Sequence, residues 1–243
     1  MDLDGKIALV TGAAKRVGRA IALALAGRGT ELVVHYHRSE REAQELLADA
    51  KRLGGKPVAA RADLSRSADI HGLVETALAA FGRIDILVNN AAIFYRTPFS
   101  SLTEADWDNF QTVNLKAPFL LSREIGEIMR QQGRGKIVNL TDIAAMKVWA
   151  DYLPYAVSKA GLVALTRGLA KALAPAVQVN AIAPGVVLLP DGTPAEAVED
   201  ARRRIPLKQL GSPDAVVRAV LYLVESDFVT GEVLRVDGGQ ALT

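Results

Sequence analysis

The sequence predicts an α/β fold, in which a parallel sheet is covered by helices on both faces. Short β-branched runs alternate with longer amphipathic stretches along the whole chain, the pattern of repeated β-α-β units. Most of the apolar runs lack polar alternation, as expected of strands buried on both faces. Gly29, Gly54, Gly82 and Gly133 fall where the intervening helices should stop.

In chain order, Lys6–Thr11 reads as a strand and passes through a glycine-bearing turn into a helix over Val17–Gly29. Strand Glu31–Tyr36, helix Ser39–Gly54, strand Lys56–Ala62, helix Ser65–Gly82 and strand Ile84–Asn89 follow. One long helix is expected over Thr103–Gln132, because Thr103-Glu104-Ala105-Asp106 puts acids in a first turn. Lys136–Thr141 is the next strand, then helix Tyr152–Ala174 and strand Ala176–Ile182. About Ala183–Ala195 the chain is irregular. That stretch follows a strand end, where ligands bind in open α/β sheets, and is a candidate lid. Pro213–Glu225 reads as a helix and Val233–Val236 as the last strand. No linker or composition break divides the chain, so residues 1–243 are read as one domain.

Of 243 residues, 50% are hydrophobic, enough for a sizeable core. With 29 basic and 27 acidic residues the net charge is +2, which makes no electrostatic case for nucleic acid or a membrane surface. There are no cysteines, so disulfides, thiol catalysis and thiolate metal sites are excluded. No apolar run approaches the roughly 20 residues of a membrane span. The N-terminus is acidic, runs straight into a strand and does not read as a signal peptide. The expectation is a cytoplasmic protein.

Tyr155 and Lys159 are four apart on one predicted helix and share a face. An ammonium beside a phenol favours the phenolate, so Lys159 is expected to lower the pKa of Tyr155 and make it a proton donor and acceptor. Asp142 precedes that tyrosine by thirteen residues.

The turn Thr11-Gly12-Ala13-Ala14-Lys15-Arg16-Val17-Gly18 lies between strand and helix, where backbone N–H groups can meet a pyrophosphate. An ordinary strand–helix turn is the plain alternative. The second strand ends in His35-Tyr36-His37-Arg38-Ser39, with no acid before Glu40 to accept from a ribose 2′-hydroxyl. Basic and hydroxyl groups there suit a 2′-phosphate, so NADPH is inferred over NADH. A solvated basic strand end and a metal pair at His35 and His37 are alternatives, although no third ligand is evident. Asp63-Leu64 ends the third strand; Asp63 can accept from an adenine amino group or cap the next helix. Small residues in Asn89-Asn90-Ala91-Ala92 allow close approach of a cofactor.

With these motifs assembled, the chain resembles the short-chain dehydrogenase/reductase family across nearly its whole length. The resemblance rests on Thr11-Gly12…Gly18, Asn89-Asn90-Ala91, Asn114, Tyr155-x-x-x-Lys159, Pro184-Gly185 and Val236-Asp237-Gly238-Gly239. It implies a Rossmann-like, doubly wound seven-stranded parallel sheet, a nicotinamide cofactor and a homotetramer. It also implies that Tyr155 exchanges the proton, that Lys159 tunes it and holds the nicotinamide ribose, and that Asn114 supports a water and proton path. Thr141, Pro184, Gly185 and Val186 join the implied cofactor contacts.

Two departures narrow the reading. Arg16 stands where the family commonly has glycine, and Asp142 where it commonly has serine. Both resemble the pteridine reductases, as do the His35–Ser39 segment, the Phe94-Tyr95 pair, Tyr152 and the ending Val236–Thr243. An ionised carboxylate accepts only, so Asp142, unless protonated, would repel the oxyanion of a ketone under reduction. A pterin instead presents N–H donors, and its C=N bonds need a proton on nitrogen. Asp142, alone or through Tyr155, is expected to deliver it, with its pKa raised by burial. Arg16 can contact pyrophosphate and substrate, or be a surface arginine. Phe94 can stack over the substrate, with Tyr152 lining the same slot, or be a core residue. A loop aspartate that caps a turn is the plain alternative for Asp142. The favoured function is NADPH-dependent reduction of a pterin. A carbonyl reductase of the 3-oxoacyl carrier-protein type is the enzyme alternative, and an NADPH-binding sensor or scaffold the non-enzymatic one.

Overall fold

Alternate residues of each strand face opposite sides, and that period builds two cores on one sheet. In the computed structural model, which describes residues 1–189 and 192–243, β1 (Ile7–Val10), β2 (Glu31–Tyr36), β3 (Val58–Arg61), β4 (Ile86–Asn89), β5 (Gly135–Leu140), β6 (Val177–Pro184) and β7 (Val233–Val236) are the strands among the described residues. They pair in the order β3-β2-β1-β4-β5-β6-β7, every neighbour parallel. This is the expected Rossmann-like seven-stranded sheet. The helices are α1 (Arg16–Ala26), α2 (Glu40–Arg52), α3 (Ser67–Phe81), α4 (Glu104–Gln111), α5 (Ala117–Gln131), α6 (Leu153–Ala172), α7 (Ala195–Arg204) and α8 (Pro213–Glu225).

Ala8, Val10, Val34 and Val88 point to one face, where Ile21 and Leu25 of α1, Leu46 of α2 and Leu223 of α8 cover them. Ile7, Leu9, Val33 and Leu87 point to the other, beneath Leu73 of α3, Leu121 of α5 and Leu169 of α6. Burying a side chain of this size contributes about 1.5–3 kcal/mol, so strands covered on both faces explain the continuous apolar runs. The winding reverses between β1 and β4, which opens a crevice beyond their C-terminal ends.

Thr103 caps α4 as expected: its Oγ1 accepts from the Asp106 N–H, and its own N–H donates to the Asp106 carboxylate, each at 3.1 Å. Gly82 closes α3 with φ of 71°, in the left-handed region where glycine is unstrained.

The single helix expected over Thr103–Gln132 is broken. A π-helical turn, Thr112–Lys116, separates α4 from α5. Pro118 has no N–H to give the carbonyl of Asn114, so the α-helical ladder is already interrupted there. The widened turn holds Asn114 inward, fully buried. A second difference is α7, which falls in a stretch with no expected element. It carries Glu196 in its first turn and Arg202, Arg203 and Arg204 in its last, and buries no residue. Its signal is therefore in charge placement rather than apolar period. Strand β6 runs on to Pro184. Of the irregular stretch about Ala183–Ala195, Pro190 and Asp191 lie outside the described residues. Among the described residues, no helix is long and apolar enough to cross a membrane.

Candidate active site

The turn after β1 is pinned from both sides. Asn90 Nδ2 donates to the carbonyls of Thr11 and Gly12 at 2.8 and 3.1 Å. The N–H groups of Asn90 and Ala91 donate to Thr11 Oγ1 at 2.9 and 3.0 Å. Gly12 has φ of 60°, and a Cβ there would lie 3.0 Å from the Ala91 Cα. A Cβ on Gly18 would collide with the Gly12 carbonyl and the Asn90 amide. The two glycines therefore let the turn, the start of α1 and the end of β4 close on one another, leaving the first N–H groups of α1 without intrahelical partners.

Arg16 has φ of 52°, the region glycine adopts freely. That conformation costs an arginine on the order of 1–3 kcal/mol, so the side chain stands there against its backbone preference. Its Nη2 donates to the Leu188 carbonyl at 2.9 Å.

Beyond the strand ends an upper cleft of about 540 Å³ is lined by Gly12, Lys15, Asp63, Leu64, Ala91 and Ala92, together with the whole segment His35, Tyr36, His37, Arg38 and Ser39. Arg38 is exposed and makes no ion pair among the described residues. Ser39 precedes α2 without using its side chain as a cap. Both are therefore available to an anion. Lys15 pairs with Glu42 at 2.8 Å, and His37 lies 3.7 Å from the Asp63 carboxylate. Asp63 accepts from Ser65 N–H and Oγ at 2.9 and 2.7 Å, bonds that hold its pKa below the usual carboxylate value. These bonds shape the turn before α3 while Asp63 still lines the cleft.

His35 departs from its expected role. It is 2% exposed, and both ring nitrogens are engaged: Nδ1 accepts from the Gly12 N–H at 3.0 Å, and Nε2 bonds the Ala62 carbonyl at 3.1 Å. Burial lowers its pKa to about 4. A neutral, fully bonded ring offers nothing to a 2′-phosphate or to a metal.

A lower cleft of about 350 Å³ is lined by Arg16, Val17, Phe94, Asp142, Tyr155, Pro184, Gly185 and Val186 among others, with Arg16 and Phe94 next in the chain to Lys15 and Ile93 of the upper cleft. Tyr155 donates from its hydroxyl to Asp142 Oδ2 at 2.9 Å. Asp142 Oδ1 accepts from the Ala144 N–H at 2.7 Å. Asp142 thus caps a short turn with one oxygen and meets the tyrosine with the other. Burial raises the Asp142 pKa. Lys159, 3% exposed, donates from Nζ to the Leu140 carbonyl at 2.8 Å and lies 5.7 Å from the Tyr155 ring centre. Burial lowers its pKa to about 8, against the pull of Asp142. The expected depression of the Tyr155 pKa does not occur. Burial, then the Asp142 charge and hydrogen bond, push it well above 10.

Phe94 is exposed and stacks on Tyr152, centroids 4.8 Å apart and planes 2° from parallel. It meets Tyr155 edge-on at 4.8 Å. Tyr152, expected to line the slot, instead backs the Phe94 ring. Asn114 Oδ1 accepts from the Ile93 N–H at 2.9 Å, and its Nδ2 donates to the Ile93 carbonyl at 3.0 Å and to Ser158 Oγ at 3.3 Å. It clamps the segment that carries Phe94. Thr141, expected at the cofactor, donates from Oγ1 to the Lys159 carbonyl at 2.9 Å and ties α6 to β5.

Trp149, Leu188, Leu189 and Gln240 also line the lower cleft; Trp149 had no expected role, Leu188 and Leu189 lie in the stretch expected as a lid, and Gln240 in the ending Val236–Thr243. Gln240 Oε1 accepts from the Val186 N–H at 3.1 Å, and a Cβ on Gly185 would come within 2.7 Å of that oxygen. Its sequence signal was its place in the ending Val236–Thr243, just past Gly238-Gly239.

A family profile described as enoyl-(acyl carrier protein) reductase matches residues 12–241. A 3-oxoacyl-(acyl-carrier-protein) reductase from Synechocystis sp. is 35% identical, over 99% of this chain and 98% of its own. The reductase FabG of the same description from Thermotoga maritima is 36% identical, over 98% and 99%. The (2S)-((R)-hydroxy(phenyl)methyl)succinyl-CoA dehydrogenase subunit BbsD from Thauera aromatica is also 36% identical, over 100% and 99%. Matched over nearly all its length, the chain belongs to the short-chain dehydrogenase/reductase family and is an oxidoreductase.

Proposed function

We propose that residues 1–243 form one NADP-binding catalytic domain whose substrate is a pterin, reduced at a ring C=N bond. The observation that carries this reading is the Tyr155–Asp142 hydrogen bond within the lower cleft.

The residues fit a nicotinamide dinucleotide. Gly12, Gly18 and the start of α1 would hold the pyrophosphate, and Arg38 and Ser39 the 2′-phosphate. Lys159 and the Pro184–Val186 segment would hold the nicotinamide end. When bound, the cofactor supplies hydride. The chain supplies the proton, which lies between Tyr155 and Asp142. Tyr155 can pass that proton to a ring nitrogen directly, or to Asp142, whose raised pKa lets it carry the proton on, while an ionised Asp142 accepts from a ring N–H. Phe94, braced by Tyr152, offers a flat face to a flat ring. Arg16, set in a costly conformation at the mouth of the cleft, offers donors to a ring carbonyl.

A second reading is reduction of a 3-oxoacyl thioester, and the descriptions of the relatives favour it over the pterin. Against it stands the chemistry of Asp142 in its ionised form, which opposes the charge that develops on a ketone oxygen, whereas a pterin can use both its ionised and its protonated forms. NADPH oxidation with dihydrobiopterin and with acetoacetyl thioester separates the two. Turnover of the pterin is expected; activity on the thioester with none on pterins would reverse the assignment. A homotetramer is proposed on family grounds, to be checked by sedimentation.

A further inference from the structure

His35 holds two successive N–H groups of the turn after β1. Gly12 donates to its Nδ1 and Ala13 to its main-chain carbonyl, both at 3.0 Å. Since Nδ1 accepts, the ring proton sits on Nε2, which donates to the Ala62 carbonyl at 3.1 Å. One residue of β2 thus ties the turn to the end of β3. Asn90 takes the carbonyls of Thr11 and Gly12 from the other side. The N–H groups beyond Ala13, at the start of α1, are the ones left to meet an anion.

We propose that His35 is a positioning residue for the dinucleotide, acting through Gly12 to set the pyrophosphate turn and making no contact with the 2′-phosphate. This rests on the reading that a nicotinamide dinucleotide occupies the upper cleft. The role differs measurably from that of Arg38. Arg38 distinguishes cofactors with and without the 2′-phosphate, whereas His35 serves the pyrophosphate common to both. The accepting nitrogen must be unprotonated, and burial keeps it so at neutral pH.

Calorimetric titration with NADPH and with NADH tests the role in two variants. In His35→Asn, Oδ1 takes the place of Nδ1 and keeps the acceptor for Gly12. In His35→Gln, the amide lies one atom farther out and the δ acceptor is lost. His35→Gln is expected to weaken NADPH and NADH by the same factor, about tenfold, the effect of one lost hydrogen bond. His35→Asn is expected to stay within about threefold of wild type. The kcat at saturating cofactor should change little in either. Wild-type affinity in His35→Gln, a loss confined to NADPH, or an equal loss in His35→Asn would each overturn the proposal. A wild-type protein that binds neither dinucleotide would overturn the cofactor reading and the positioning role with it.

Discussion

The hydroxyl of the buried Tyr155 donates to Oδ2 of the half-buried Asp142 at 2.9 Å. Burial raises the pKa of each. The Asp142 charge raises that of Tyr155 further, while the Lys159 ammonium favours an ionised Asp142. The result is a tyrosine held as an acid, with its proton directed at the carboxylate.

Tyr155→Phe removes that donor and leaves the upper cleft untouched. Turnover is expected to fall by about 10²–10⁴-fold, the usual worth of a positioned acid, with NADPH affinity nearly unchanged in a direct titration. A variant that keeps most of its turnover would remove Tyr155 from the chemistry.

Asp142→Ser restores a neutral donor at this position. Pterin reduction should suffer more than carbonyl reduction when kcat/KM is measured for both. The tyrosinate absorbance of Tyr155 should also appear at lower pH, because the neighbouring charge is gone. Equal effects on the two substrates would deny Asp142 a special role.

Arg38→Ala deletes an exposed guanidinium at the edge of the upper cleft. NADPH affinity should drop by about 10–100-fold, the worth of a hydrogen bond to a charged group, and NADH affinity little. An unchanged preference between the two refutes the 2′-phosphate assignment.

Stability should depend on pH through His35. Its folded pKa is about 4 against 6.5 for an unperturbed histidine, so between those values the unfolded chain binds the extra proton. The contribution is complete above pH 6.5 and is lost as pH falls toward 4, on the order of 3 kcal/mol. The urea midpoint should fall between pH 7 and pH 4.5, and His35→Asn should flatten that slope. An identical slope in the variant would place the titration elsewhere.

Most of the strands and their parallel pairing could be read in advance because burial on two faces writes uninterrupted apolar runs such as Ile7–Val10 and Ile86-Leu87-Val88. Helical spacing likewise put Tyr155 and Lys159 on one face, whereas the place of Asp142 beside them came from the resemblance to the family, which commonly has serine there. The break at Asn114 was not legible. It depends on Pro118 denying one hydrogen bond while a distant loop at Ile93 supplies two. Gln240 reaches the cleft only because β7 lies beside β6.

By itself the sequence determined the layered α/β architecture, because periodicity is local, and through motifs that resemble those of a family it implied which chemical groups gather at the strand ends. Only the tertiary structure decided what those groups do to one another. It turned His35 inward to clasp Gly12, aimed the Tyr155 hydroxyl at Asp142 and set Phe94 against Tyr152. Hydrogen bonds and desolvation depend on which atoms meet after the chain has closed, and residues far apart in sequence leave no local trace of that meeting.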